Sequence, residues 1–267
     1  MLTIDFLGSG SGGNATLVRW DETALLLDCG FGPRVLRDRL ALVGLGLDDV
    51  DALLLTHEHG DHVAGLSALA RQEELTIHLT PATARGIGRE AVSRWSAARD
   101  LVKPGRPFHV GPVEVVPFTT VHDARGPVGY VLRMPDGRRL GFATDMGHVN
   151  AEALDALRGC DLLAIEANHD PDMLRWGPYP GFLKRRIRSD RGHLSNAEAA
   201  SLLARTASDR LEQVFVMHIS RTNNQAGLAR QALESRLSRL GLRRPAVTVV
   251  EQDRVLRYPL PGQLSLF

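Results

Sequence analysis

The segment Thr56-His57-Glu58-His59-Gly60-Asp61-His62 places three of the chain's ten histidines in one short stretch, with an aspartate between the last two. Before it, Asp51-Ala52-Leu53-Leu54-Leu55 is an apolar run suited to a buried strand. After it, Val63-Ala64-Gly65-Leu66-Ser67-Ala68-Leu69-Ala70 reads as the opening turns of a helix. The donors therefore sit on a strand-to-helix turn, where side chains converge because the backbone changes direction. Imidazole nitrogens with a carboxylate oxygen suit zinc or another divalent first-row metal. The alternative is a polar turn that happens to be histidine-rich.

A chain of 267 residues can bury one sizeable core or two small ones. Charged residues at 24% and hydrophobic residues at 43% are in globular proportion, which excludes extended disorder. The net charge of +1 neither favours nor excludes a polyanionic partner, so only a local basic cluster can carry that information. Cys29 and Cys160 are too few for a disulfide framework and are not spaced as a zinc pair, which fits a reduced compartment. The start, Met1 to Phe6, lacks the basic and long apolar regions of a signal peptide. No apolar run approaches membrane-spanning length, so a soluble cytoplasmic protein is expected.

Residues 2–8 alternate as a first strand and lead into Gly8-Ser9-Gly10-Ser11-Gly12-Gly13-Asn14. On their own these glycines read as a flexible hairpin; the functional reading is a bare backbone edge that lets a phosphate come close. Strands are expected at 15–19 and 23–28, the second ending in Asp28. A carboxylate at the end of an apolar strand needs partners. Asp28 therefore either orients a ligand histidine or caps a turn. The pattern continues with helices at 34–44 and 63–71, a strand at 75–79, and a helix started by Thr80-Pro81. His78 and His109 are isolated and read as packed or surface histidines.

The second half repeats the rhythm. A strand at 113–121 precedes His122, and strands at 128–134 and 138–144 form a hairpin across Pro135-Asp136-Gly137. A helix near 151–158, a strand at 161–166 and a loop-rich region to about 194 follow. Ser195 with Glu198 makes a capping box for a helix at 196–207. A strand at 211–217, a helix at 225–240 and strands at 246–251 and 254–258 complete the body. Roughly a dozen strands among five or six helices, with polar residues at strand ends, indicate an α/β chain of sheets sandwiched by helices. The body spans 1–260 and a tail spans 261–267.

His122, Asp145 and His218 each follow an apolar strand, as the opening motif does. Together they supply enough ligands for two metals with positions left for water and substrate. An aspartate placed between paired metals can bridge them, and such pairs stabilise attacking and leaving oxygens in hydrolysis. His57-x-His59-x-Asp61-His62 followed by His122, Asp145 and His218 resembles the motifs of the metallo-β-lactamase fold superfamily over essentially the whole chain. The resemblance implies an αββα sandwich of two mixed sheets flanked by helices. It also implies a first metal on His57, His59 and His122, a second on Asp61, His62 and His218, Asp145 as the bridge, and Asp28 behind a ligand. The same donors accept zinc, manganese or iron.

Within that superfamily, β-lactamases usually carry cysteine where Asp145 stands. Too few positions separate His122 from Asp145 for the tRNA-gripping arm of ribonuclease Z, and too few separate Asp145 from His218 for the extra domain of the ribonuclease J branch. Several other segments resemble the small bacterial YycJ/WalJ-like branch of DNA exonucleases. These are Leu7 to Asn14, Val121-His122-Asp123-Ala124, Glu166-Ala167-Asn168-His169-Asp170, Lys184-Arg185-Arg186-Ile187, Gly192-His193-Leu194-Ser195-Asn196 and His218-Ile219-Ser220. Gly192-His193-Leu194-Ser195 also resembles a ribonuclease Z loop whose histidine, paired with a glutamate, contacts the scissile phosphate. Carried over, His193 and Glu166 form that pair, and a histidine held by a carboxylate can protonate a departing sugar oxygen. His148 is left outside the site; for His169 a structural hydrogen bond is as good a reading as a functional one.

The basic run 184–191 reads either as a solvated face or as phosphate contacts. With the resemblance, Lys184, Arg185, Arg186 and Ser195 are expected at substrate phosphate. The tail Gln263-Leu264-Ser265-Leu266-Phe267 resembles the pentapeptide that docks bacterial replication and repair proteins on the DNA sliding clamp, with Gln263, Leu264, Leu266 and Phe267 as its contacts. The expected activity is a metal-dependent phosphodiesterase, a 5′-to-3′ DNA exonuclease that uses hydroxide generated between its metals. The alternatives are an RNA-directed nuclease, or a small-molecule hydrolase of thioesterase, glyoxalase or cyclic-phosphate diesterase type, which would need neither the basic run nor the tail.

Overall fold

Short, nearly continuous apolar runs such as those near 23–28, 161–166 and 211–217 need cover on both faces. The computed structural model, which describes residues 1–241 and 245–259, provides it with two sheets and two helical layers. The first sheet takes β1 (Leu2–Gly8), β2 (Ala15–Trp20), β3 (Thr23–Leu27), β4 (Ala52–Leu54), β5 (Thr76–Leu79) and β6 (Ala98–Leu101) in chain order. The second takes β7 (Phe108–Val110), β8 (Val113–Thr119), β9 (Val128–Arg133), β10 (Arg139–Ala143), β11 (Leu162–Glu166), β12 (Gln213–Met217) and β13 (Ala246–Val249). The last strand, β14 (Leu256–Tyr258), returns to the outer side of β1.

Each sheet has an antiparallel part and a parallel part, so both are mixed. β3 to β6 run parallel, as do β10 to β13. The C-terminal ends of β3 and β4 therefore share one edge, and so do those of β8, β10, β11 and β12. Open sheets of this kind bind ligands outside the carboxyl ends of their strands.

Three apolar layers hold the sandwich together. Between the sheets, Phe6 meets Phe215 with ring centroids 4.5 Å apart, amid Leu25, Leu54, Tyr130 and Phe142. Outside the first sheet lie α1 (Pro33–Leu42), α2 (Gly60–Val63), α3 (Leu66–Leu69), α4 (Pro81–Ile87) and α5 (Arg89–Ser93), with Leu36, Leu40 and Leu69 packed on Leu26 and Leu53. Outside the second lie α6 (Ala151–Leu157), α7 (Pro171–Trp176), α8 (Gly181–Ile187), α9 (Asn196–Thr206) and α10 (Ala226–Arg239), where Leu154, Leu203 and Leu233 cover Leu163 and Val214. This is the expected αββα sandwich. Among the described residues no helix is long and apolar enough to cross a membrane.

The departures from expectation have local causes. The helix expected at 63–71 is instead two single turns that begin within the histidine motif and part at Gly65. There the backbone presses onto Cys29, whose carbonyl accepts the Gly65 N–H at 2.7 Å, and a Cβ at 65 would lie 2.6 Å from the Phe31 oxygen. The loop-rich region before 194 contains α7 and α8; Asp170 caps α7 by accepting from the N–H groups of Asp172 and Met173. β6 and β7 were not anticipated. β6 is an edge strand exposed at every residue, so it has no alternating pattern to read. His78 behaves as expected of a packed histidine, stacked on Phe108 at 4.4 Å and bonded to Asp100 at 3.1 Å, while His109 lies exposed on β7. The tail 261–267 lies outside the described residues.

Two bonds tie the second sheet to the approach of the histidine motif. The buried Tyr130 hydroxyl donates to the Leu55 carbonyl at 2.7 Å, and the Val128 N–H donates to the Thr56 carbonyl at 3.0 Å. Burial raises the Tyr130 phenol well above its ordinary value, which keeps it a donor. Tyr130→Phe removes one of the two ties and lowers stability by about 1–2 kcal/mol. Urea unfolding should show this as a lower midpoint with an unchanged slope.

Candidate metal centre

The centre is assembled on one buried carboxylate. Asp28, at the end of β3, accepts from the Thr56 N–H at 2.8 Å, from the Thr56 hydroxyl at 2.8 Å and from His62 Nδ1 at 2.7 Å. With its proton given to Asp28, the Thr56 hydroxyl accepts from His57 Nδ1 at 3.0 Å. His122 Nδ1 donates to the Gly192 carbonyl at 2.9 Å. These partners fix the tautomers, leaving the Nε2 lone pairs of His57, His62 and His122 turned toward the centre.

Two triads result. His57 Nε2 and His122 Nε2 lie 3.1 and 3.3 Å from His59 Nδ1. Asp61 Oδ2 lies 3.2 Å from His218 Nε2 and 3.6 Å from His62 Nε2. Asp145 stands between them, with Oδ2 at 3.2 Å from His62 Nε2 and Oδ1 at 3.7 Å from His122 and 3.5 Å from His218. Each triad is close enough for its donor atoms to share one ion. Asp145 Oδ2 is buried and makes no hydrogen bond among the described residues. A convergent set of lone pairs with an unsatisfied carboxylate oxygen fits a divalent cation, and the donors suit zinc, manganese or iron alike.

The backbone is bent to achieve this. Asp28, Asp145 and His218 have φ of 58°, 57° and 52°, in the left-handed region that non-glycine residues avoid. All three immediately or nearly follow the ends of β3, β10 and β12, and the reversal turns their side chains into the site. Gly30 permits the closest approach: a Cβ there would lie 1.7 Å from the Asp61 carbonyl. Beside it, the glycine-rich turn braces the motif, and its Ser11 also lines the metal cavity. Asn14 donates its N–H to the Asp61 carbonyl at 2.8 Å, and Ser9 accepts from the His218 N–H at 2.8 Å while donating to Asn14 Oδ1.

Charge follows position. Burial pushes His57 well below the ordinary imidazole value and lowers His122. Burial also opposes charge on His62, but Asp145 and Asp28 outweigh it and hold His62 well above the ordinary value. Against the same burial, Asp145 and Asp61 bring His218 to about 9. Burial would raise Asp145, yet His218 and His62 keep it well below the usual carboxylate range. Metal at Asp61, His62 and His218 therefore has to displace protons favoured on His62 and His218, whereas burial disfavours a proton on His57 and His122.

Beside the triads, His193 lines the same cavity of about 380 Å³, its ring 4.9 Å from that of His122 and 5.1 Å from that of His218. Glu166, wholly buried at the end of β11, accepts from the Met146 and Leu194 N–H groups through Oε1 and holds His193 Nδ1 at 3.1 Å through Oε2. The pair expected from the resemblance is thus brought together, with the far edge of the imidazole free for the cavity.

The residues expected at phosphate separate. Arg186 lines the cavity and pairs with Asp123 Oδ2 at 2.5 Å. Lys184 and Arg185 do not line it; Lys184 Nζ donates to the Arg175 carbonyl at 2.9 Å. Ser195 is corrected to a structural role, because its hydroxyl is committed to Glu198 as the cap of α9. His148 bonds the Asp190 carbonyl at 2.9 Å outside the cavity, and buried His169 brackets the His193 loop through its carbonyl, which accepts from Asn196 N–H. Asp123 and Asn168 were passed over. Asp123 Oδ1 lies 3.2 Å from His122 Nε2, and Asn168 Nδ2 donates to the His218 carbonyl at 3.0 Å. Both fall inside segments that carry the resemblance, and that was the signal available.

Two metal-binding triads joined by a carboxylate at the strand ends of an αββα sandwich define a metal-dependent hydrolase of the metallo-β-lactamase fold. The chain belongs to the β-lactamase superfamily, whose domain matches residues 23–219. It is 33% identical over 240 residues to exodeoxyribonuclease YycJ of Bacillus anthracis, covering 90% of each chain. It is 32% identical over 238 residues to exodeoxyribonuclease WalJ of Streptococcus pneumoniae, covering 88% of each. The metallo-β-lactamase fold protein YhfI from Bacillus subtilis superposes with a TM-score of 0.73 at 17% identity, over 96% of this chain and 98% of that one.

Because Asp28 orients His62 directly and His57 through Thr56, Asp28→Asn should weaken metal binding about 10–100-fold. Competition with a chromophoric chelator reads this directly, and an affinity equal to wild type would remove Asp28 from the role given to it.

Proposed function

We propose that this chain is a metal-dependent nuclease acting on DNA in the 5′-to-3′ direction. The observation that carries the phosphodiester reading is His193, held by Glu166 and aimed at the cavity that the two triads enclose. The names of the YycJ and WalJ relatives support DNA as the polymer. Bound divalent metals would lower the pKa of water and offset charge on the attacking and leaving oxygens. The protein's own residues do the rest. Asp28 and Thr56 hold the ligand rings in one orientation, so no reorganisation is needed when the phosphodiester arrives. His193, with Nδ1 anchored on Glu166, carries a proton at Nε2 to the departing sugar oxygen. Arg186 exchanges Asp123 for a phosphate oxygen, trading one anionic partner for another.

End-labelled DNA and RNA, incubated with metal-loaded protein, should show stepwise shortening of DNA that Asp61→Ala abolishes. Degradation of neither polymer alongside thioester hydrolysis would end the nuclease reading. His193→Ala should slow DNA cleavage by about 10²–10⁴-fold and a p-nitrophenyl phosphodiester far less, since that leaving group needs no proton. Equal losses on both substrates would exclude proton donation.

Delivery to DNA falls to the tail in this reading. A glutamine with leucine and phenylalanine anchors suits an apolar cleft with one polar contact, and the sliding clamp is the partner that this pattern fits. Deleting Gln263 to Phe267 should abolish clamp capture in a pull-down and leave nuclease turnover intact; capture that survives the deletion would rule the tail out.

A further inference from the structure

A second concavity, of about 530 Å³, lies on the other side of His122, which lines both it and the metal cavity. Four cations from four separate segments line it: Arg85 of α4, Lys103 after β6, Arg125 from the turn after His122, and Arg191 just before Gly192. No aspartate or glutamate lines it, and none of the four side chains makes an ion pair among the described residues. In a chain whose net charge is only +1, such local imbalance is not a sample of the average surface. Arg186, in the metal cavity, is paired with Asp123, so the two sides of the His122 turn differ in kind.

An independent observation points to a ligand. Thr120 lines the same groove, only 3% exposed, and its hydroxyl oxygen, buried in the wall, has no hydrogen-bond partner among the described residues. A buried unpaired hydroxyl beside four unpaired cations is a donor set for anionic oxygens. The turn carrying Arg125 is tied to the histidine motif, where the Glu58 carboxylate accepts the Arg125 N–H at 2.8 Å.

We propose that this groove is a second phosphate subsite, holding the sugar–phosphate backbone of the strand on one side of the bond placed at the metal centre. It rests on the nuclease reading and adds to it the requirement for a polymer, because a substrate too short to cross His122 cannot reach the groove.

The test compares wild type with R85E/R125E and with K103E, on a long single-stranded oligonucleotide and on a dinucleotide, with thermal melting as the folding control. The oligonucleotide KM should rise about tenfold or more in the charge reversals, with kcat little changed and with the dinucleotide KM much less affected. The slope of log(kcat/KM) against log salt should fall by about 0.7 for each phosphate that the groove no longer neutralises. Thr120→Val, which alters no charge, should raise the oligonucleotide KM without changing that slope. Wild-type kinetics in the folded charge reversals would overturn the subsite while leaving the nuclease reading standing. Failure of wild type to bind or cleave any oligonucleotide would overturn both, and competition of coenzyme A for an occupied groove in that same protein would assign the cations to a small phosphorylated ligand instead.

Discussion

Asp28, Asp145 and Glu166 are ionisable groups with at most 2% exposure, set among buried His57, His62, His122 and His218. Isolated charges in such a place cost several kcal/mol each, so they persist only where every one has a partner. The interior meets that condition by division of labour. Asp28 serves Thr56 and His62, while Glu166 serves two backbone N–H groups and His193. Asp145 is partnered by charge rather than by hydrogen bonding at Oδ2, which faces His62 Nε2 at 3.2 Å and makes no hydrogen bond among the described residues. The architecture follows from this constraint, because carboxyl ends of strands on one edge are where side chains can converge without breaking a backbone ladder.

What could be read from the chain divides along physical lines. The donors at 57–62 were legible because they are neighbours in sequence, and His122, Asp145 and His218 because each follows an apolar strand. The cap on α9 was legible because a capping box is wholly local, yet that same local commitment is what removes Ser195 from the phosphate role. Glu166 and His193 lie far apart in the chain, and only the resemblance joined them. The Asp123–Arg186 pair spans 63 positions and has no periodic or local signature at all. β6 escaped for a related reason: its place is set by pairing with β5, while its exposed residues follow no pattern.

The left-handed residues show how stability is traded for position. Glycine would occupy Asp28, Asp145 and His218 with less backbone strain, but glycine has no donor atom to contribute. Each position therefore holds a residue whose conformation is enforced by its surroundings. Asn168 at the His218 carbonyl, Ser9 at the His218 N–H and Thr56 on Asp28 supply that enforcement.

Both triads draw ligands from both halves of the chain. His57 and His59 come from the end of the first sheet and His122 from the second; Asp61 and His62 likewise face His218. An ion held in either triad would thus stitch one sheet to the other at their common rim, closing loops of 60 residues or more as a disulfide closes a loop in an oxidising compartment. The two cysteines are buried and unpaired, so the protein has no covalent means of doing this. Its catalytic ions would then double as its cross-links, and starvation for metal would loosen the seam of the sandwich as well as silence the chemistry.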